Sequence, residues 1–214
     1  MTKEVYVFDL DGTLVDSMKY FERGMLAVAD ELGLEYDSET IKIITPLGYR
    51  GSAEYYVNTL GAKCSVDDIV KKFERNLYLE YSENIKLKAG VFDYITKLHA
   101  RGARLFVLTA SPHLVTDVCL KRNGVFDLFE EVWSVDDFRL TKSGTTLFFK
   151  VCERIGCGAS DVHYFDDSLI ALKNATLAGY DTYGVYDRQT FDELKSIRLG
   201  LAKHLVMTFE EMSV

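Results

Sequence analysis

Two aspartates stand at the end of the first apolar segment of the chain. Val5–Phe8 are all apolar, which is typical of a strand covered on both faces of a parallel sheet. Asp9 and Asp11 follow with one residue between them, so an extended backbone would send both carboxylates the same way. Gly12 comes next and allows a sharp exit from the strand. The spacing predicts paired acids at a strand's carboxyl end, where α/β proteins bind ligands; a solvated Asp-rich turn is the alternative.

Three later segments place polar side chains at equivalent points of the pattern. Thr109 ends a second apolar run, where a hydroxyl group can donate to an anion or cap the next helix. Lys142 stands just before a helical pattern, and a lone lysine there is ordinarily a solvated side chain. Asp166 and Asp167 end a third apolar run, and by themselves they could be no more than an N-cap. Their shared place at strand ends and helix starts favours one common site.

Four motifs follow one another along the chain: DxDGT after a first strand, Thr109 at the end of a second, Lys142, and Asp166–Asp167 at the end of a third. Their order resembles that of the haloacid dehalogenase superfamily of phosphatases and phosphotransferases, and the resemblance covers nearly the whole chain. The resemblance is to its branch of phosphoglycolate phosphatases and β-phosphoglucomutase-like proteins with a helical cap. It implies a phosphomonoesterase acting on a small phosphorylated metabolite, with a sugar-phosphate mutase or a non-catalytic phosphate sensor as alternatives. The superfamily's dehalogenases lack an acid at the position of Asp11, so dehalogenation is not expected. Ala171 stands where many members place a further acid.

The resemblance also implies a role for each motif residue. Asp9 would be the nucleophile that forms an aspartyl-phosphate, and Asp11 would protonate the leaving alcohol and then deprotonate water. Mg²⁺ would be the cofactor, because a carboxylate and a phosphate dianion repel each other. Its expected ligands are the Asp9 carboxylate, the Asp11 backbone carbonyl and Asp167, with Asp166 as a second ligand or outer partner. Phosphate would be bound by the hydroxyl of Thr109, the ammonium of Lys142, and the backbone N–H groups of Leu10 and Ala110.

Composition agrees with an enzyme of this kind. The 214 residues are 48% hydrophobic, enough for one good core and a small second unit. No apolar run reaches the roughly 18 residues of a membrane helix. The net charge of −8 argues against nucleic acid as a partner and makes local cations necessary for binding phosphate. We expect a cytoplasmic protein, a monomer or weak dimer, that binds a small phosphate ester and neither nucleic acid nor membrane.

Alternating helix and strand patterns predict an α/β fold, a doubly wound parallel, Rossmann-like sheet. Residues 1–16 and 85–214 would form this core domain. Residues 17–84 show helical apolar stripes without a competing strand pattern, so they predict an inserted helical cap domain. One stripe, in a helix with a Ser65–Asp68 capping box, is formed by Ile69, Phe73, Leu77 and Tyr81.

The segment 46–51 is the candidate for substrate specificity. Its glycines predict a turn between two cap helices, with Tyr49 and Arg50 at the tip. Arg50 could bind a carboxylate or a second phosphate, and Tyr49 could cover an apolar or sugar face. A solvated turn without such a role is the alternative.

Overall fold

A computed structural model describes residues 4–44, 47–188 and 202–213 of the chain. The chain divides into two compact units. The first comprises Met1–Asp16 with Lys86–Val214, and the second comprises Ser17–Ile85. Pro46 lies outside the described residues.

The first unit is built on a parallel sheet in the strand order β3-β2-β1-β4-β5-β6. The strands are β1 Val5–Phe8, β2 Arg104–Thr109, β3 Glu131–Ser134, β4 Val162–Asp166, β5 Asp181–Val185 and β6 His204–Val206. The chain builds outward from β1 on one side and then on the other, so the order reverses between β1 and β4. The predicted fold class, a doubly wound α/β sheet, is confirmed.

The alternation of side chains along the strands gives the sheet two apolar faces. Phe106 stacks on Trp133 on one face, with ring centroids 5.0 Å apart. On the other face Phe165 stacks between Phe8, at 4.8 Å, and Tyr183, at 4.4 Å. Burial on both faces explains why β1 is entirely apolar.

The described part of the first unit also contains α-helices. They are α5 Val91–Ala100, α6 His113–Arg122, α7 Thr145–Ile155 and α8 Leu169–Leu177. The apolar residues of α7, including Leu147, Phe148 and Val151, are buried against the sheet with Ala171 and Leu172 of α8. Among the described residues, no helix has the length and apolarity needed to span a membrane.

The second unit consists of packed helices: α1 Met18–Glu31, α2 Ser38–Ile44, α3 Gly48–Asn58 and α4 Val66–Glu83. The predicted stripe of α4 is confirmed, because Ile69, Phe73, Leu77 and Tyr81 are all buried. The Ser65 hydroxyl caps this helix by accepting the Asp68 N–H at 3.2 Å.

The sequence patterns missed α2 and the start of α3. The carboxylate of Asp37 caps α2 by accepting the backbone N–H groups of Glu39 and Thr40 at 3.1 and 2.9 Å. That aspartate and the spacing of Ile41 and Ile44 were the available signals. The N-cap residue of α3 is Leu47, whose side chain cannot accept a hydrogen bond from the backbone. The sequence therefore shows no capping residue before α3 like the Ser65 that precedes α4.

Candidate active site

Three buried carboxylates meet where the strand order reverses. Asp9 directly follows β1, Asp166 ends β4, and Asp167 is the next residue. The two strands are paired in register, and the Asp9 N–H donates to the carbonyl of Phe165 at 2.8 Å. One carboxylate oxygen from each of the three acids lies within 4.8 Å of the others. The arrangement places a concentrated negative charge at the switch point of the sheet, largely shielded from bulk water.

Lys142 neutralises part of this charge. Its Nζ donates to the Asp9 carboxylate and to Oδ2 of Asp166, the latter at 2.8 Å. Burial lowers the pKa of this lysine, but the Asp166 and Asp9 carboxylates outweigh burial and raise the pKa above its ordinary value. The ammonium is therefore a permanent positive charge, positioned by residues 133 and 24 places away in the sequence.

The two adjacent acids have different surroundings. Asp166 accepts hydrogen bonds from Lys142, the Tyr164 hydroxyl and the backbone N–H of Ser168, the last at 2.7 Å. No donor among the described residues bonds the carboxylate of Asp167. Burial raises the pKa of Asp167 well above its usual range, and the neighbouring Asp166 and Asp9 raise it further. Asp166 is thus held by the protein, whereas Asp167 lacks a partner of opposite charge in direct contact.

Asp9 shows the same excess of negative charge. Burial raises the pKa of Asp9 to about 7; Lys142 opposes this shift, while Asp166 and Asp11 add to it. A hard divalent cation would remove this unfavourable charge, and carboxylate oxygens are the ligands that such ions take. The chemistry of the donor set therefore fits Mg²⁺, with Asp9, Asp167 and Asp166 as the available side chains.

The second acid of the motif points to the hydroxyl-rich loop after β2. Oδ2 of Asp11 accepts a hydrogen bond from the Ser111 hydroxyl at 2.6 Å, and the Ser111 N–H donates to Oγ1 of Thr109 at 3.0 Å. Thr109 is buried and Ala110 is exposed. The sequence reading did not single out Ser111, because a serine after a strand is also an ordinary N-cap. The structure ties this loop directly to the carboxylate of Asp11.

The turn after β1 is shaped by Gly12, whose φ of +73° lies in the left-handed region. A Cβ at this position would overlap the Asp167 carboxylate, with Cγ only 2.7 Å away. The Leu10 carbonyl accepts the N–H groups of Leu14 and Val15 at 2.9 and 3.0 Å and so closes the turn. Glycine is required both by the backbone angle and by the close approach of Asp167, the residue that follows β4.

The specificity candidates do not stand on a turn. Tyr49 and Arg50 lie in the first turn of α3, so the predicted turn at 47–51 is wrong. Tyr49 packs within the second unit, stacking on Phe21 with the ring centroids 5.1 Å apart. Arg50 forms an exposed ion pair with Asp67, with Nη2 and Oδ1 2.8 Å apart. Helix α3 begins earlier than the sequence suggested because its residues pack on Phe21 and Phe73.

The doubly wound sheet with acids at its switch point is the architecture of a ligand-binding α/β enzyme. A sequence profile of haloacid dehalogenase-like hydrolases matches residues 6–185, and the chain belongs to that family. It is 24% identical over 183 residues to the phosphorylated carbohydrates phosphatase of Thermotoga maritima, with 85% of each chain covered. It is 26% identical over 196 residues to the phosphoglycolate phosphatase of Psychrobacter arcticus, covering 86% of this chain and 84% of that one. The crystal structure of CbbY from Rhodobacter sphaeroides in complex with phosphate has a similar fold, with a TM-score of 0.82 and 20% sequence identity. The match covers 98% of this chain and 96% of CbbY.

Proposed function

We propose that this hydrolase is a Mg²⁺-dependent phosphomonoesterase that acts on a small phosphorylated metabolite through an aspartyl-phosphate. The enzyme is a phosphatase of the haloacid dehalogenase type. The observation that carries the proposal is the buried cluster of Asp9, Asp166 and Asp167 with the Lys142 ammonium bonded to two of them. A cluster with more acids than cations is suited to a bound metal, and a metal beside a nucleophilic carboxylate is suited to an anionic substrate.

In the first step an Asp9 carboxylate oxygen attacks phosphorus, and the bond between phosphorus and the alcohol oxygen breaks. Asp11 in its protonated form gives its proton to the departing alkoxide. Ser111 holds Oδ2 of Asp11 at 2.6 Å, so the acid is oriented before the ester binds. The products of this step are the free alcohol, a phosphorylated Asp9 and a deprotonated Asp11.

In the second step water attacks the phosphorus of the aspartyl-phosphate, and the bond between phosphorus and Asp9 breaks. Asp11 accepts the proton of the attacking water and so returns to its starting form. Inorganic phosphate leaves, and the Asp9 carboxylate is regenerated. The Lys142 ammonium stands against Asp9 in both steps and stabilises the charge on the transferring group.

Asp9, Asp167 and the Asp11 carbonyl would hold Mg²⁺, and Asp166 would orient Lys142 and complete the site. When bound, the ion supplies the positive charge that lets a carboxylate approach a phosphate dianion. The Thr109 hydroxyl and the N–H groups of Leu10 and Ala110 are proposed to bind the phosphoryl oxygens. The lack of a hydrogen-bond donor to Asp167 among the described residues supports its place in the metal site.

Arg50 and Tyr49 are proposed to select the leaving alcohol. The ion pair of Arg50 with Asp67 is exposed, with 66% and 71% of the two side chains accessible, so it contributes little to stability. An anionic group on the substrate could therefore take over the guanidinium at small cost. Arg50→Ala is expected to raise the KM for an anionic metabolite about ten-fold, the scale of one charge-assisted contact. Hydrolysis of a small aryl phosphate should change little, and equal effects on both substrates would contradict this role.

The function is tested by measuring phosphate release from a panel of phosphorylated metabolites in MgCl₂ and in excess EDTA. We expect steady release that EDTA abolishes and added Mg²⁺ restores. Lys142→Met should lower kcat/KM by about 10²-fold or more, because a fixed charge at the reacting group is lost. Lys150→Met removes an exposed lysine whose ion-pair partner, Glu153, is also exposed, so it should leave the rate unchanged. Full activity in EDTA, or interconversion of sugar phosphates without net phosphate release, would contradict the proposal.

A further inference from the structure

A second lysine, Lys88, is mostly buried and lies next to the acid cluster. Lys88 Nζ donates to the carbonyl of Gly12 and to the carbonyl of Tyr186 at 2.8 Å, and it forms an ion pair with Oδ2 of Asp187 at 3.1 Å. Two of the three N–H groups of the ammonium thus bond carbonyls, and the carboxylate of Asp187 balances its charge. The side chains are only 16% and 5% exposed for Lys88 and Asp187. This ammonium and its carboxylate partner are therefore a fixed pair inside the first unit.

The pair borders the carboxylate of Asp167. Asp187 comes two residues after β5, which is paired with β4, so Asp187 and Asp167 lie at the same edge of the sheet. Gly12, whose carbonyl binds Lys88, also lies against Asp167, because a Cβ added at Gly12 would overlap the Asp167 carboxylate. The charges of both partners influence the pKa of Asp167: Asp187 raises it and Lys88 lowers it, in addition to the larger effect of burial.

This arrangement raises a problem for a metal site. A lysine ammonium beside an acid that lacks a hydrogen-bond donor would be drawn to it, and would then compete with a divalent cation for the same oxygens. The ammonium of Lys142 is already bonded to Asp9 and Asp166, so a second such contact would occupy the last acid of the cluster. Lys88 nevertheless bonds the two carbonyls and forms its ion pair with Asp187.

We propose that Asp187 is a positioning residue that holds Lys88 away from Asp167 and so leaves Asp167 available to the divalent cation. The inference rests on the proposed metal site, because it concerns the acid assigned to that site. In this account Lys88 still fixes the Gly12 turn to the end of β5 through its carbonyl contacts. Asp187 does not contact the metal; it acts through the position of the Lys88 ammonium.

A purely structural role for the pair makes a different prediction. If Lys88 and Asp187 only stabilise the fold, then removing both charges should be at least as harmful to the site as removing one. If Asp187 restrains a competing cation, then Asp187→Asn should impair metal binding, and removing Lys88 as well should restore it. The two roles are separated by whether removing Lys88 from the Asp187→Asn variant strengthens or further weakens Mg²⁺ binding.

The test is calorimetric titration of the metal-free full chain with MgCl₂, without substrate, for the wild type, Asp187→Asn, Asp187→Glu and the double variant Lys88→Met with Asp187→Asn. We expect Asp187→Asn to raise the Kd for Mg²⁺ about ten-fold, the scale of one competing charge contact. Asp187→Glu and the double variant should bind within about three-fold of the wild type. Lys86→Met and Asp93→Asn, exposed residues of the same unit, serve as matched charge controls and should bind as the wild type does.

Thermal unfolding of each variant shows whether it is folded before it is titrated. Wild-type affinity in Asp187→Asn would overturn the proposal, and so would a double variant that binds as weakly as Asp187→Asn. If Asp187→Asn does not fold, the double variant decides, because a ten-fold loss of affinity there contradicts the proposal. A wild type that binds no Mg²⁺ would overturn the proposed function as well, which distinguishes the two failures.

Discussion

Gly12→Ala should damage the acid cluster far more than an alanine at another left-handed glycine. Gly12 and Gly33 have similar φ angles of +73° and +64°, so an alanine at either position costs about 1–2 kcal/mol in backbone conformation. A Cβ at Gly33 meets nothing within 4 Å, whereas at Gly12 it lies 2.7 Å from Cγ of Asp167. Gly33→Ala is therefore a matched control that carries the backbone cost without the collision.

The size of the effect follows from the distance that Asp167 must move. Its Cγ has to retreat by roughly 0.7 Å to reach the 3.4 Å at which ordinary van der Waals contact begins, and Oδ2, which lies closer to the added Cβ, has to move further. A misplacement on the order of 1 Å can cost about 10²-fold in rate, so we expect kcat/KM to fall about 100-fold and the Mg²⁺ requirement to rise. The kcat/KM of Gly33→Ala should stay within about two-fold of the wild-type value, because Gly33 is exposed and its backbone strain does not move the acid cluster.

The assay combines initial rates of phosphate release over a Mg²⁺ series with urea unfolding of the same samples. Both variants should lose unfolding free energy, Gly12→Ala the more because it also carries the collision, while only Gly12→Ala loses activity and Mg²⁺ affinity. Wild-type activity and Mg²⁺ dependence in Gly12→Ala would refute the claim that the approach of Asp167 to the turn matters for the site.

Two further outcomes are expected. In calorimetric titration, Asp167→Ala should weaken Mg²⁺ binding more than Asp166→Ala does. The reason is that Asp166 is already bonded to Lys142, Tyr164 and Ser168. A larger loss of Mg²⁺ affinity in Asp166→Ala would contradict the metal assignment. In EDTA, the unfolding free energy should fall as the pH rises from 5 to 7. Burial raises the pKa of Asp9 from 3.8 to about 7, so in this window the folded chain keeps a proton that the unfolded chain has lost. The slope is at most about 1.4 kcal/mol per pH unit for one proton, and urea unfolding of Asp9→Asn should show a shallower slope. Equal slopes in the two proteins would exclude Asp9 as the source.

The sequence carried most of the information on the fold of the first unit. Apolar strands and periodic helices are local patterns, and the alternation of the two determines a parallel sheet. The same local logic placed Asp9, Asp166 and Asp167 at strand ends, and the structure brings them together. In the second unit α4 was predictable from its apolar stripe and its Ser65 cap. Helix α3 was mislocated because Gly48 and Gly51 suggested a turn, and tertiary packing of Tyr49 overrode that local preference.

The parts of the site that the sequence did not reveal depend on distant partners. Ser111 bonds Asp11 across 100 residues, and Lys88 bonds the carbonyl of Tyr186 across 98. Serine, lysine and aspartate are common in loops, so nothing in their local surroundings marks these contacts. They become visible only when the strand order places the ends of β1, β2, β4 and β5 side by side.

The central claim is that Asp9 carries the phosphoryl group, and acid-quench mass spectrometry tests it most directly. Asp11→Asn removes the group that deprotonates water, so mixing this variant with Mg²⁺ and a phosphate ester with a good leaving group should accumulate a phosphorylated protein. Peptide mapping should place one phosphoryl group on Asp9, and Asp9→Asn should show no phosphorylation and a rate lowered by about 10³-fold or more. A phosphoryl group on another residue, or substantial turnover by pure Asp9→Asn, would contradict the account.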